Sequence, residues 1–508
     1  MSDALHARIG HLAAMPARWR ARWGWLAAFA GVSAVTCSLA RAAAPAPLDP
    51  DEYASAYYFD RLVHGQRLDE VLLTTPKPLL SLVHGLAFLL GRDWRAGVVL
   101  TGMALALAVV ALARVAARLG GIPAAGAVAL ALLGSVPLAI ETVHGNSVVW
   151  ALAGWALAAD ALTGTPRRWA TGGAALLLAA LARSEGWLLL PLAAVWGTRA
   201  AVRGERRALW LLLPLAAPLL WMAHDWLLTR NPLWSLRVPE LYTSTPDPDT
   251  LELRPRVVVP PLQWLRTVGD RYLGDPALAA AALAGAGWLA WRRAWALLAG
   301  MAALFAGVLA VFGVYSARGV FFTPRYFEIP DTVEQVAAAL GVAAVAAAAA
   351  GLPLGRVPLR PRVAVASVVA LALVAGLLWP LAPLDRPLAA KLAGERRASA
   401  NAAAAVAALR PLAAEPGTVL LVSRWQRSRI ALELGLPVER VRDLTAVGFG
   451  ADLERGIAGA TAVYYDAATD PTRFAPLART TPGRLGALTL TPLRTDPDRG
   501  LYVVAVRS

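Results

Sequence analysis

Arg18, Arg20 and Arg22 lead into the apolar run Trp23-Gly24-Trp25-Leu26-Ala27-Ala28-Phe29-Ala30-Gly31-Val32-Ser33-Ala34-Val35-Thr36-Cys37-Ser38-Leu39-Ala40, and shortly beyond it stands Asp49-Pro50-Asp51-Glu52-Tyr53. A helix needs about 20 mostly apolar residues to cross a bilayer, and cations before such a run hold its start on the cytoplasmic side. The Ala-rich stretch Ala42–Ala44 also fits a signal-peptide cleavage site. The many later apolar runs favour an uncleaved first span. Across all 508 residues, 57% are hydrophobic and only 16% charged, with mean hydropathy +0.52. Soluble domains are about 25% charged. The composition excludes a secreted disulfide scaffold, a disordered chain and a soluble nucleic-acid binder. A single cysteine, Cys37, leaves no intramolecular disulfide to form.

Further candidate spans are 97–117, 122–140, 146–162, 170–183, 186–200, 208–228, 277–291, 294–315, 332–351 and 363–382, about eleven with the first. The formal charge of +15 comes almost entirely from Arg, Lys77 and Lys391 being the only lysines. Alternate turns carry Arg114 and Arg118; Arg167 and Arg168; Arg199, Arg203, Arg206 and Arg207; Arg292 and Arg293; then Arg356, Arg360 and Arg362. The opposite turns carry Asp49, Asp51, Glu52, Asp60, Asp69, Glu70, Glu141 and Glu185. This alternation predicts the N-terminus inside and the C-terminus outside. Residues 1–384 are expected to form an all-α polytopic membrane domain, with extracytoplasmic loops at 41–96 and 229–275, the second rich in Pro. Residues 385–508 read as a small extracytoplasmic α/β domain. Strands are expected at Thr418–Ser423, Ala462–Asp466 and Leu501–Val506, and helices near 391–410 and 426–435.

The chemistry gathers on the outward side. Asp51 and Glu52 precede Tyr53, Tyr57, Tyr58 and Phe59, rings at helical spacing that suit a short helix lying in the membrane interface. In Thr74-Thr75-Pro76-Lys77-Pro78 the prolines restrict the backbone around a lone Lys, a point charge for a phosphate; the same Lys equally suits snorkelling at a helix start. Glu141, His144, Asn146 and Ser147 share one outward turn, Arg183-Ser184-Glu185 another, and Pro324-Arg325-Tyr326-Phe327 opens a late span. Capping explains Arg183 and Glu185 as well, and His144 suits hydrogen-bonded packing. Ionisable groups at span ends nevertheless point to function when they recur on one face. That placement suits group transfer at the outer surface, with a carboxylate as base and cations on a departing phosphate. No Gly-rich phosphate loop and no metal-ligand spacing is present in the sequence.

In their order, these motifs resemble the GT-C class of polytopic glycosyltransferases, in the branch of bacterial protein O-mannosyltransferases and lipid A aminoarabinose transferases. Over about residues 20–350 the resemblance rests on Asp51-Glu52 after the first span and on Gly65 ahead of Lys77-Pro78. It rests further on Arg183-Ser184-Glu185-Gly186 for that branch's Arg-Pro-Glu-Gly turn, Asn231-Pro232-Leu233 for its Asn-Pro loop opening, and Arg325-Tyr326. It implies a bacterial inner-membrane enzyme, active on the periplasmic or exterior side, that moves a sugar with inversion from a polyprenyl phosphate to a glycan, lipid or protein acceptor. By resemblance Asp51 is the base with Glu52 its neighbour, Lys77 and Arg325 contact the donor phosphate, and Glu141 matches an acidic position of many members. Tyr57, Glu141, His144, Asn146, Arg183, Glu185 and Tyr326 are the expected substrate-binding residues. Asn146 stands where relatives often carry an acid, which leaves a divalent metal open; no other cofactor is implied. Membrane lipids are expected partners and nucleic acid is not. A lipid or solute transporter and a non-catalytic membrane scaffold are the alternatives.

Overall fold

The computed structural model describes residues 17–42, 50–65, 75–91, 95–238, 258–320, 327–351, 385–422, 426–444, 457–466, 483–485, 487–499 and 501–507. Its first part is a helical array: α1 (Ala17–Ala42), α2 (Pro50–Val63), α3 (Pro78–Gly91), α4 (Arg95–Leu133), α5 (Val136–Val143), α6 (Ser147–Thr163) and α7 (Trp169–Ala182). A 3₁₀ turn at Ser184–Leu189 leads to α8 (Leu190–Val202), and a second 3₁₀ stretch, Arg206–Ala216, leads to α9 (Ala217–Thr229). Then come α10 (Pro261–Leu273), α11 (Pro276–Trp291), α12 (Trp295–Ala317) and α13 (Glu328–Gly351).

The chain is a multi-pass helical membrane protein. Among the described residues, Ala96–Leu133, Arg206–Thr229, Trp295–Ala317 and Glu328–Ala348 are each long and apolar enough to cross a bilayer. Gly24–Ser38, Pro78–Leu90, Ser147–Thr163 and Trp169–Ala182 are shorter apolar helices. The expected span at 363–382 lies outside the described residues. An unbroken helix as long as α4 would measure about 57 Å, far more than the roughly 30 Å apolar core of a bilayer. The backbone leaves the helical region at Gly120 (φ −141°) and Gly121 (φ 74°). Only glycine takes that positive φ without strain, so the helix breaks where the sequence separates two spans.

The segment expected as an extended loop to residue 275 contains α10. Asp275 ends the turn after α10 by capping α11, its side chain accepting from the backbone N–H of Ala277 (3.0 Å) and Leu278 (3.1 Å), with Pro276 at the first helical position. The two helices meet at 87°. α11 and α13 touch through small residues: a side chain at Gly341 would run into the Ala281 carbonyl and the Gly285 backbone N–H, and one at Gly285 into Ala337. Apolar helices in lipid gain little from the hydrophobic effect between themselves, so close backbone approach carries the packing.

The C-terminal part comprises α14 (Asp385–Ala413), β1 (Leu420–Val422), α15 (Arg427–Leu434), β2 (Val441–Asp443), β3 (Ala462–Asp466), β4 (Gly483–Leu485), β5 (Leu488–Asp496) and β6 (Leu501–Arg507). They form one mixed sheet in the order β2-β1-β3-β6-β5-β4, parallel among β2, β1 and β3 and antiparallel beyond. The three expected strands are present within a residue or two; β2, β4 and β5 carried too little apolar pattern to be read. Alternate residues feed two cores: Leu420, Val422, Tyr464 and Val503 on one face, Leu421, Val463, Tyr465 and Val504 on the other.

The first of those cores corrects one sequence reading. Tyr53, Tyr57 and Tyr58 of α2 are not at a lipid interface; they are buried in the same cluster as Ala405 and Leu409 of α14 and Ile430 of α15, with Phe88, Val98 and Leu228 from the helical array. Rings spaced for an amphipathic surface helix serve equally well as the apolar face of a helix covered by a sheet domain, and here the domain covers them. Gly341→Val should cost at least about 3 kcal/mol, the overpacked end of core substitutions, because the Cβ meets backbone rather than a movable side chain. Thermal unfolding of the purified protein in detergent measures it.

Candidate functional site

Residues of the 141–147 and 183–185 turns converge at one end of the α6–α7 pair. Asn146 caps α6: its Oδ1 accepts from the Val148 backbone N–H (3.1 Å) and from the Ser147 hydroxyl (3.1 Å). Gly145 precedes it at φ 75° and its carbonyl accepts from His84 Nε2 of α3 at 3.0 Å. From the C-terminus of α7, Arg183 donates through Nη1 to the Ser147 hydroxyl (3.4 Å) and pairs with Glu185 through Nη2 (2.5 Å) and Nε (3.2 Å). The Arg183 and Glu185 side chains are only 7% and 10% exposed, so the pair is sealed from solvent.

Lys77 completes the group. It is buried, and its carbonyl accepts from the Ser81 backbone N–H (2.8 Å), which makes it the cap of α3. A helix N-terminus presents unpaired N–H groups and favours an anion, and the residue at this one carries a positive charge of its own. Burial opposes ionisation of Glu185, but the charge and hydrogen bonds of Arg183, with the more distant charge of Lys77, outweigh it and hold the carboxyl below its ordinary value. The Lys77 field therefore reaches the Arg183–Glu185 pair.

Glu141 and His144 are buried in the same turn, and the Asn146 backbone N–H donates to the Glu141 carbonyl (2.8 Å). Two buried atoms here, Glu141 Oε2 and Asn146 Nδ2, have no hydrogen-bond partner among the described residues. One acceptor and one donor left open in a buried turn need a reason, and a polar ligand supplies one. Among the described residues no group of three or more His, Cys, Asp or Glu side chains is placed to hold a metal ion.

The remaining sequence candidates fall elsewhere. Asp51 and Glu52 occupy the first turn of α2, but their side chains lie outside the described residues, as do Arg325 and Tyr326 entirely. Phe327, the next residue, stacks on Trp264 (5.8 Å between ring centroids) beneath the Arg271 guanidinium (4.6 Å). Arg271 and Tyr272 in turn bind Asp331 at the start of α13. Tyr57 lies in the core between α2 and the sheet domain, where the Arg61 guanidinium covers its ring (4.8 Å) and donates to the Leu436 carbonyl (2.8 Å). Arg429, buried in α15, faces the Tyr53 ring at 5.5 Å while bound to Glu433 (2.7 Å) and Ser399 (2.9 Å). The helix whose first turn carries Asp51 is thus tied to the sheet domain by two arginines, Arg61 reaching out of α2 and Arg429 reaching in from α15.

Sequence reading missed two buried acids in apolar helices. Asp225 accepts from the Ser235 backbone N–H and hydroxyl, both at 2.8 Å, next to Trp221, whose indole donates to the same hydroxyl. Asp160 near the end of α6 gathers arginines. A single acid inside an apolar run was the available signal in each case.

No protein-family model matches the sequence, and no curated protein resembles it closely enough to count as a match. The fold does match solved structures. ArnT from Cupriavidus metallidurans in the apo state superposes with TM-score 0.52 at 16% identity, covering 96% of this chain and 98% of that one. The oligosaccharyltransferase AglB from Archaeoglobus fulgidus, in complex with an inhibitory peptide and a dolichol-phosphate, gives TM-score 0.44 at 13% identity over 88% of this chain and 70% of that one. The oligosaccharyltransferase of the same organism tethered to an acceptor peptide gives 0.42 at 13%, over 86% and 69%. The likeness to ArnT, a GT-C glycosyltransferase, bears out the GT-C resemblance at the level of the fold.

The Glu185 carboxyl sits below its ordinary value, so its contribution to stability is present at neutral pH and is lost as pH falls below 4.5, the ordinary value, through the depressed one. Melting temperatures across pH 3–7 should show an acid-side fall in the wild type that Glu185→Gln flattens.

Proposed function

We propose that this protein is an integral-membrane glycosyltransferase that takes a sugar from a polyprenyl-phosphate donor and places it on an acceptor hydroxyl at the extracytoplasmic face. The reading includes about eleven spans with the N-terminus inside, a membrane domain over 1–384, an extracytoplasmic domain over 385–508, and a bacterial inner-membrane location. The observation that carries it is the buried Lys77 at the N-terminus of α3, whose charge acts on the buried Arg183–Glu185 pair, in an ArnT-like helical array.

In a single displacement, Asp51 removes the acceptor proton. The acceptor oxygen then forms its bond to the anomeric carbon as the bond from that carbon to the phosphate oxygen breaks, and the lipid phosphate leaves with its negative charge. Lys77 and the α3 N–H groups stabilise that charge, with Arg325 as a second cation. Arg183 is already neutralised by Glu185, so the pair orients the Ser147 turn rather than lending a full charge. Glu141 Oε2 and Asn146 Nδ2 offer one acceptor and one donor to sugar hydroxyls. Glu52, Tyr57, His144 and Tyr326 complete the proposed set, Tyr57 from its place in the α2 core. A hydrophobic array suits a donor whose tail stays in the bilayer while its head meets the acid.

Cells lacking the protein should accumulate one polyprenyl-linked sugar, detected by mass spectrometry of extracted lipids; an unchanged profile contradicts the proposal. With that donor in proteoliposomes, Asp51→Asn should lower transfer about 10²- to 10⁴-fold, the range of general-base catalysis, at unchanged expression. Lys77→Ala should weaken donor engagement by about 10- to 100-fold, as for one charge-assisted bond.

A further inference from the structure

At the opposite end of the α6–α7 pair a second charged cluster is built. At 1.5 Å per residue, α6 carries Ser147 and Asp160 about 20 Å apart, and α7 likewise runs from Arg168 to Arg183. Three guanidiniums converge on Asp160: Arg114 Nε at 3.3 Å and Arg118 Nη2 on one oxygen, Arg168 Nη2 at 2.5 Å on the other. Arg118 also donates through Nη1 to the Asp160 carbonyl (3.1 Å) and the Thr163 hydroxyl (2.9 Å). One carboxylate neutralises one of three cations. Beside them, Arg167 pairs with Glu205 at 3.5 Å and adds no net charge, so the cluster keeps two positive charges in excess.

Exposure decides which way that excess faces. The Asp160 side chain is 4% exposed, whereas Arg114, Arg118 and Arg168 are 36%, 32% and 46% exposed. The carboxylate anchors the arginines from inside and leaves their outer edges to a second anion. The same wall borders an apolar cavity of about 170 Å³: Ala159, Leu162 and Thr163, from the last turn of α6, line it together with Leu112 and Val115 of α4. Trp196 also lines it, with the Arg167 guanidinium 5.8 Å from its ring. The cavity runs along α6 from Val148 to Thr163; an apolar cavity between helices, with partly exposed guanidiniums adjoining one end of its wall, matches a molecule that joins an acyl chain to a phosphate.

We infer that this end of the α6–α7 pair binds an anionic membrane phospholipid, its phosphate on Arg114, Arg118 and Arg168 and an acyl chain in the cavity. The phosphate position lies at the other end of α6 from the Lys77 cluster and, in the proposed orientation, takes lipid from the cytoplasmic leaflet. Neutralising Asp160 alone needs a single guanidinium; holding a phosphodiester as well accounts for the other two.

Native mass spectrometry of the full-length protein in detergent, titrated with phosphatidylglycerol or with phosphatidylcholine of the same chains, tests this. The wild type should retain phosphatidylglycerol about tenfold more strongly, Arg114→Gln should abolish most of that preference, and Asp160→Asn should increase it. Equal retention of the two lipids, or a preference that neither substitution moves, overturns the inference. Displacement of phosphatidylglycerol by millimolar inorganic phosphate, or by polyprenyl monophosphate, overturns the choice of ligand. If Asp160→Asn fails to fold, the Arg114→Gln, Arg168→Gln double variant decides: retained preference overturns the inference and loss supports it.

Discussion

Charge inside an apolar helical array must be paired or it destabilises the array, and in α6 and α7 this chain meets that constraint by placing the paired ions Asp160, Arg183 and Glu185 at the ends of the two helices. Between Ser147 and Asp160 the helix offers lipid and its neighbours only apolar or small side chains. At one end Arg183 and Glu185 neutralise each other beside Lys77; at the other Asp160 collects three arginines. A buried ion pair contributes little stability on balance, while a buried ion that loses its partner costs several kcal/mol. The pairs therefore fix where the helices end and how the turns beyond them are held. Whatever chemistry the Asn146–Ser147 turn performs inherits that geometry.

The second constraint comes from the sheet domain. α2 is packed on both sides, against Phe88, Val98 and Leu228 of the helical array and against Leu409, Ile430 and Tyr464 beyond. Arg61 and Arg429 add directional contacts to this packing. In the proposed mechanism Asp51 acts from the first turn of this helix, whose later turns pack against the C-terminal domain.

Much of this was legible in the sequence, for identifiable reasons. Long Ala/Leu runs between Arg-rich turns require membrane helices, and α6, α7, α11 and α12 start and stop within two residues of their expected bounds. Short, mostly apolar strands such as Ala462–Asp466 were equally readable. The grouping of Asn146, Ser147, Arg183 and Glu185 followed from their recurrence at turns whose charge pattern puts them on one face. What sequence could not supply was partnership. The tyrosines of α2 have the spacing of an interfacial helix, and only the three-dimensional packing shows a sheet domain covering them. Asp160 and Asp225 looked like isolated exceptions in apolar runs because their partners come from Arg114, Arg168 and Ser235, distant or on other elements. α10 was hidden by the prolines around it, one of which begins the helix.

The central claim is that Lys77, at the head of α3, receives the phosphate of a polyprenyl lipid. A cryo-electron microscopy structure of the protein with bound polyprenyl monophosphate tests it most directly. The account predicts phosphate density in hydrogen-bond contact with Lys77 Nζ and the first N–H groups of α3, at the Ser147 end of α6. Phosphate density remote from Lys77, with the α3 N-terminus turned away from the lipid, would contradict it.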